Sequence, residues 1–228
     1  DYTRTVMPTN KDTRPGTPSG TAEPTPPVYQ LTIIGGFTDA FHFYPVIVRD
    51  SIATIYLHNN MLEYGHTYYV TIDNGVLNLA DGSFQGVTKE DEWVFTTKSD
   101  MPELSDTLIV DVAGKGDFNT VQGALDFIPD FNEQQTVILV NPGDYEELVY
   151  TRNKWHVKIK GAGMADTKVH YANNEVFNPH PLTVKTNEWP GTFPSRRAAF
   201  MLDNCKDIVI EDMTIATDLK GQAEGLLI

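Results

Sequence analysis

The sequence predicts an all-β chain: an incomplete right-handed parallel β-helix with an N-terminal capping helix, preceded by a small β-sandwich. Three observations carry the stacked-strand, helix and sandwich parts of this expectation. Five strand-like runs separated by turn clusters fill the first part of the chain. A single amphipathic helical stretch follows, between Asp117 and Pro129. After it come short strand-like runs with no helix between them.

Residues 1 to about 28 are rich in Thr, Pro and Gly and poor in apolar side chains, so they read as a loop or linker. From Tyr29 to Thr97 the runs YQLTI, FHFYPVIV, ATIYL, TYYVTI and EWVFTT alternate with turn clusters such as Asp73-Asn74-Gly75 and Ala80-Asp81-Gly82. That spacing fits a small β-sandwich. Ser99-Asp100-Met101-Pro102 reads as the hinge, giving expected domains of 1–99 and 100–228.

In the second domain, Val121, Ala124, Leu125 and Ile128 recur at i, i+3, i+4 and i+7 and mark one buried helical face. Asn119 with Gln122 reads as an N-cap pair of the capping-box type, and Pro129 stops the helix. The flanking runs Leu108-Ile109-Val110 and Val137-Ile138-Leu139-Val140 are too short for helices and read as core strands. Further on, VKIK, TKV, LTV, AAFML, DIVI, MTI and GLLI are too short to bury themselves. They persist only if each lies on a neighbour at about 4.8 Å, as rungs of a solenoid do. Gly161, Gly163, Asp203-Asn204 and Gly221 mark its corners. The amphipathic helix is then expected to cover the open end of the coils.

Composition narrows the function. With 228 residues, 40% of them hydrophobic, the chain can bury a real core. It has no apolar run of the roughly 18 residues needed to span a membrane. No signal peptide opens it, and Asp1-Tyr2-Thr3-Arg4 looks like a mature or trimmed start. The single cysteine, Cys205, excludes an internal disulfide and reads as a core-facing rung residue. A formal net charge of -14 argues against nucleic acid as partner. There is no Gly-x-Ser-x-Gly elbow, no metal-ligand spacing among the six histidines, and no complete dinucleotide or phosphate loop at Gly161-Ala162-Gly163 or Gly114-Lys115-Gly116.

The order of elements from Leu108 to Val169 resembles the opening of the pectin methylesterase (pectinesterase) family, whose members are parallel β-helices. Gly143, Tyr145 and Glu147 match the family's Gly-x-Tyr-x-Glu signature, and Gly161, Gly163 and Thr167 match the next turn and strand. Near the end, RAAFMLDNCKDIVIEDMTIATDLKGQAEGLLI resembles the segment before the family's active site. There Gln222 falls on a glutamine that contacts substrate near the reacting ester. The stretch LEYGHTYYVTIDNGVLNLADGSFQG with EWVFTT similarly resembles a bacterial Ig-like domain found beside secreted carbohydrate enzymes.

The resemblance implies a secreted carboxylic ester hydrolase that acts on methylated polygalacturonate without metal or organic cofactor. In the family an ionised aspartate attacks the ester carbonyl, and a second, protonated by burial, donates to departing methanol. Those aspartates are expected on coils after Ile228, so the chain holds no catalytic residue of its own and is expected to be an inactive, truncated part. Ala199 stands where family members often have a substrate-contacting threonine, and Thr217 where an asparagine is usual. De-esterified pectin is a polyanion, which sets the net charge against it. Arg152, Lys154, Lys158, Lys160, Arg196 and Arg197 are candidates for a compensating cationic strip. Two other classes stay open. One is a carbohydrate-binding or adhesion module stacking sugars on Trp155, Tyr171 and Trp189. The other is a calcium-dependent polysaccharide lyase using Asp203, Asp207, Glu211 and Asp212.

Overall fold

Each short strand after the helix finds its partner one coil away in sequence, and the result is a three-sided solenoid. A computed structural model describes residues 31–228 except 39, 50–51, 78–80, 176 and 179–195. Residues 1–28, the LTV run at 182–184 and Trp189 lie outside the described residues. The described residues fall into two units, one of Tyr44–Glu103 and one of residues 31–43 with Leu104–Ile228.

In the first unit β3 (Val46–Arg49) pairs antiparallel with β4 (Ile52–Ile55), and β5 (Thr67–Tyr69) with β6 (Val94–Thr96). Ile72 and Val87 add an antiparallel bridge. Tyr68 stacks on Phe95 across the second pair, with ring centroids 5.6 Å apart.

The second unit begins with the antiparallel pair β1 (Leu31–Thr32) and β2 (Phe41–His42). Then come β7 (Thr107–Val110), α1 (Val121–Phe127), and three successive coils. The first coil is β8 (Thr136–Val140), β9 (Gly143–Glu146) and β10 (Val149–Arg152). The second is β11 (Trp155–Gly161), β12 (Thr167–Tyr171) and β13 (Ala198–Asp203). The third is β14 (Lys206–Glu211), β15 (Thr214–Thr217) and β16 (Glu224–Leu227). Each coil gives one strand to each of three parallel sheets, ordered β7-β8-β11-β14, β9-β12-β15 and β10-β13-β16.

The interior is a continuous apolar cluster that includes Leu108, Val110, Ile138, Val140, Tyr145, Val149, Val157, Ile159, Val169 and Phe200. Ile109 and Leu139, expected to be core, are instead 40% and 36% exposed. A solenoid strand has one face inside and one in water, so its β-branched and leucine residues alternate between the two.

Helix α1 plugs the first coil. Val121, Ala124, Leu125 and Ile128 are all buried in the same cluster as β7 and β8. Its N-cap is Thr120, not Asn119: the Thr120 side chain accepts from Gly123 N at 3.0 Å. Gln122 is not part of a capping box. It reaches sideways, donating to Tyr150 O at 2.9 Å and accepting from Tyr150 N at 2.8 Å, which ties the helix to β10. The helix ends at Ile128, extended as the residue before Pro129 must be.

Corners rest on backbone that only certain residues adopt. Asn153 and Asn204 both have positive φ and stack, Asn204 Nδ2 donating to Asn153 Oδ1 at 2.7 Å. Gly161 sits where a Cβ would lie 2.2 Å from Asp212 O, so the coil below forbids any side chain there. The β1–β2 segment covers the outer face of β10: a Cβ on Gly35 would meet Tyr150 O at 1.7 Å, and the Phe41 and Tyr150 rings meet edge to face at 4.5 Å.

Candidate functional site

Among the family-signature residues, Glu147 holds the plug in place. Glu147 is buried, and its two oxygens accept from Val121 N at 2.8 Å and Gln122 N at 2.9 Å, the open N–H groups of α1's first turn. Burial pushes its carboxyl up to about 7, against those two hydrogen bonds, which pull it down. The Tyr145 hydroxyl donates to Asn141 O at 2.9 Å, and Gly143 lies under its ring. Thr167 Oγ1 accepts from Ala162 N at 3.0 Å, closing the corner that begins at Gly161.

Gln222 lies on an exposed corner between β15 and β16. Its carbonyl accepts from Glu175 N at 2.9 Å. With its side-chain nitrogen turned toward Glu175, the amide also donates to that carboxylate. Arg197 spans the same corner, its Nη1 3.4 Å from Glu175 Oε2 and its Nε 2.7 Å from both oxygens of Glu224. The Glu224 pairing raises the Arg197 pKa, so this guanidinium is a fixed positive charge. Gln222 is therefore fastened through Glu175 to Arg197 and Glu224, on two successive coils. Ala199 is fully buried, and Thr217 Oγ1 donates to Asn173 O at 2.7 Å.

The expected cationic strip is largely spent on internal pairs. Arg152 pairs with Asp203, Lys154 with Asp130 at 2.7 Å, Lys158 with Glu211 at 2.7 Å, and Lys160 with Glu211 at 3.3 Å. Arg196 lies over the Phe41 ring and donates to Ala40 O at 2.9 Å. The acidic residues considered for calcium are engaged by the same contacts: Asp203, Glu211 and Asp212 by those cations, and Asp207 by His156 at 3.1 Å. Among the sugar-stacking candidates, Tyr171 is buried, and Trp155 packs edge-on against Phe131 with Lys206 over its ring. Burial pushes the Cys205 thiol up, away from thiolate reactivity.

A second polar cluster lies on the outer face of β9 and β12. Ligand-capable atoms of Glu146, His170 and Asp218 are all within 4.8 Å of one another. Sequence reading finds no metal spacing and misses this group, because stacking joins residues up to 72 positions apart. Glu175 is missed for the same reason.

The Pectinesterase family model matches residues 107–223, which are 117 of 228 residues. Probable pectinesterase 67 of Arabidopsis thaliana is 33% identical over 96 residues, covering 39% of this chain and 28% of that protein. Pectinesterase QRT1 of the same plant is 32% identical over 79 residues, covering 33% and 21%. The chain thus spans about a quarter of the length of these relatives. A solved pectin methylesterase from carrot aligns with 52% of this chain and 34% of its own, at 21% identity and a TM-score of 0.40. The family match runs from β7 through Gln222, over more than half of the sequence, and this chain belongs to the pectinesterase family.

Proposed function

We propose that the polypeptide carrying this chain is a secreted enzyme that hydrolyses methyl esters of polygalacturonate to pectate and methanol, and that Gln222 is a substrate contact. The observation that carries this reading is the family match across residues 107–223 together with the exposed, anchored position of Gln222. An amide held by Glu175 has one N–H engaged and a second to offer to an ester carbonyl oxygen, where charge develops during attack. Attack and protonation of methanol belong, in this proposal, to the aspartate pair that the family resemblance places on later coils. Residues 1–228 then bind ester without cleaving it. The division into 1–99 and 100–228, with the first part an Ig-like accessory domain, is part of the same proposal, except that residues 31–43 group with Leu104–Ile228. Its support is the antiparallel pairing of β3–β4 and β5–β6.

Methanol release from highly methylated pectin tests the reading. The polypeptide extended through the aspartate-bearing coils should release methanol without added metal, and Gln222→Ala should lower kcat by about 10²- to 10³-fold. Unsaturated products in place of methanol, or full activity of the variant, would contradict it.

A further inference from the structure

We propose that Glu146, His170 and Asp218 form a binding site for a divalent transition ion, Zn²⁺ foremost, that staples the coils together on the outer face of β9, β12 and β15. The inference is independent of the esterase reading. Register brings the ligands together: His170 stands opposite Glu146 on one side and Ala216 on the other. Asp218, its N–H bonded to Tyr171 O at 3.0 Å, brings its carboxylate to His170 Nδ1.

His170 is the buried member of this group. Its side chain is only 6% exposed although it lies on the outer face of the sheet. Nδ1 faces Asp218, while Nε2, 2.7 Å from Asp144 Oδ1, has no aligned hydrogen-bond partner. One imidazole and two carboxylates suit Zn²⁺, which holds such ligands at about 2.0–2.2 Å and leaves a fourth position for water. Zinc binding has to draw together ligand atoms that lie within 4.8 Å of one another. Asp144 then plays the outer role, accepting from Nε2–H and fixing the ring so that Nδ1 meets the ion. The competing account is a protonated imidazole shared among the three carboxylates, with no ion bound.

Thermal unfolding of the metal-free 228-residue chain near pH 7.5 separates the two. Zn²⁺ at about a hundredfold over its Kd should raise Tm by roughly 5–10 °C. His170→Gln should abolish the shift, and Asp144→Asn should weaken zinc affinity about 10- to 100-fold without abolishing it. No zinc-dependent shift, the same shift in His170→Gln, or an equal shift with Ca²⁺ would overturn the site. Should His170→Gln fail to fold, X-ray absorption of the zinc-loaded wild-type chain decides: one imidazole with oxygen ligands supports the site, and sulfur or two or more imidazoles refutes it.

Discussion

Glu147 carries the most consequence of any single side chain described here. It is the last position of the Gly143-Asp144-Tyr145-Glu146-Glu147 signature, and its carboxylate supplies acceptors for two N–H groups that a helix start otherwise leaves open. Its carboxyl stands at about 7 in the fold against an ordinary 4.5, with burial as the main cause. A carboxyl with a raised folded value takes up a proton on folding between those two pH values. Its contribution is therefore full below about pH 4.5 and is lost as pH rises through 7, by roughly 3 kcal/mol. Urea unfolding of wild type and Glu147→Gln from pH 4 to 8 checks this. The wild type should lose stability relative to the variant across that window, and parallel curves would show that Glu147 does not titrate there. The signature was legible in the sequence, but this role was not, because Glu147 lies 26 residues from the helix N–H it binds. For the same reason Asn119, three residues before Gln122, looked like the cap, while Gln122 spends its amide on β10.

At the scale of elements, α1 is too short to be stable alone and draws its order from the coil it covers. Leu125, 1% exposed, sits in the shared apolar cluster. Leu125→Ala should cost about 2–5 kcal/mol. The cap assignment gives a sharper contrast: Thr120→Ala should cost about 1 kcal/mol and Asn119→Ala much less. Equilibrium denaturation of both variants checks it, and a reversed order would restore Asn119 as the cap. The existence of α1 and of the described strands after it, β9 and β10 excepted, was legible from apolar periodicity and turn residues. Two things were not. The pairing of β1 with β2 and their packing over β10 depend on contacts such as Phe41 with Tyr150, more than a hundred residues apart in sequence. The outward exposure of Ile109 and Leu139 was hidden because apolar residues suit both faces of a strand.

Across the whole molecule, charge and architecture make a joint statement about ligand choice. The chain carries a net charge of -14, and most of the lysines and arginines once considered for a cationic strip are paired with its own carboxylates. Among the described residues, the corner around Gln222 thus has no broad positive surface to draw in a polyanion, and in the proposed reading neutral, methylated galacturonan suits it better. That preference should narrow as salt screens the repulsion. The solenoid itself was legible as a class because very short strands require stacked partners, whereas the Glu175–Arg197–Glu224 anchor of Gln222 appears only when the coils are stacked. The most direct test is a residue-resolved NMR titration of the 228-residue chain with methylated and de-esterified oligogalacturonides. We predict that the methylated ligand shifts the amide signals of Gly221, Gln222 and Ala223 and that the de-esterified ligand does so far more weakly. Shifts confined to Tyr44–Glu103, or an equal response to both ligands, would contradict the account.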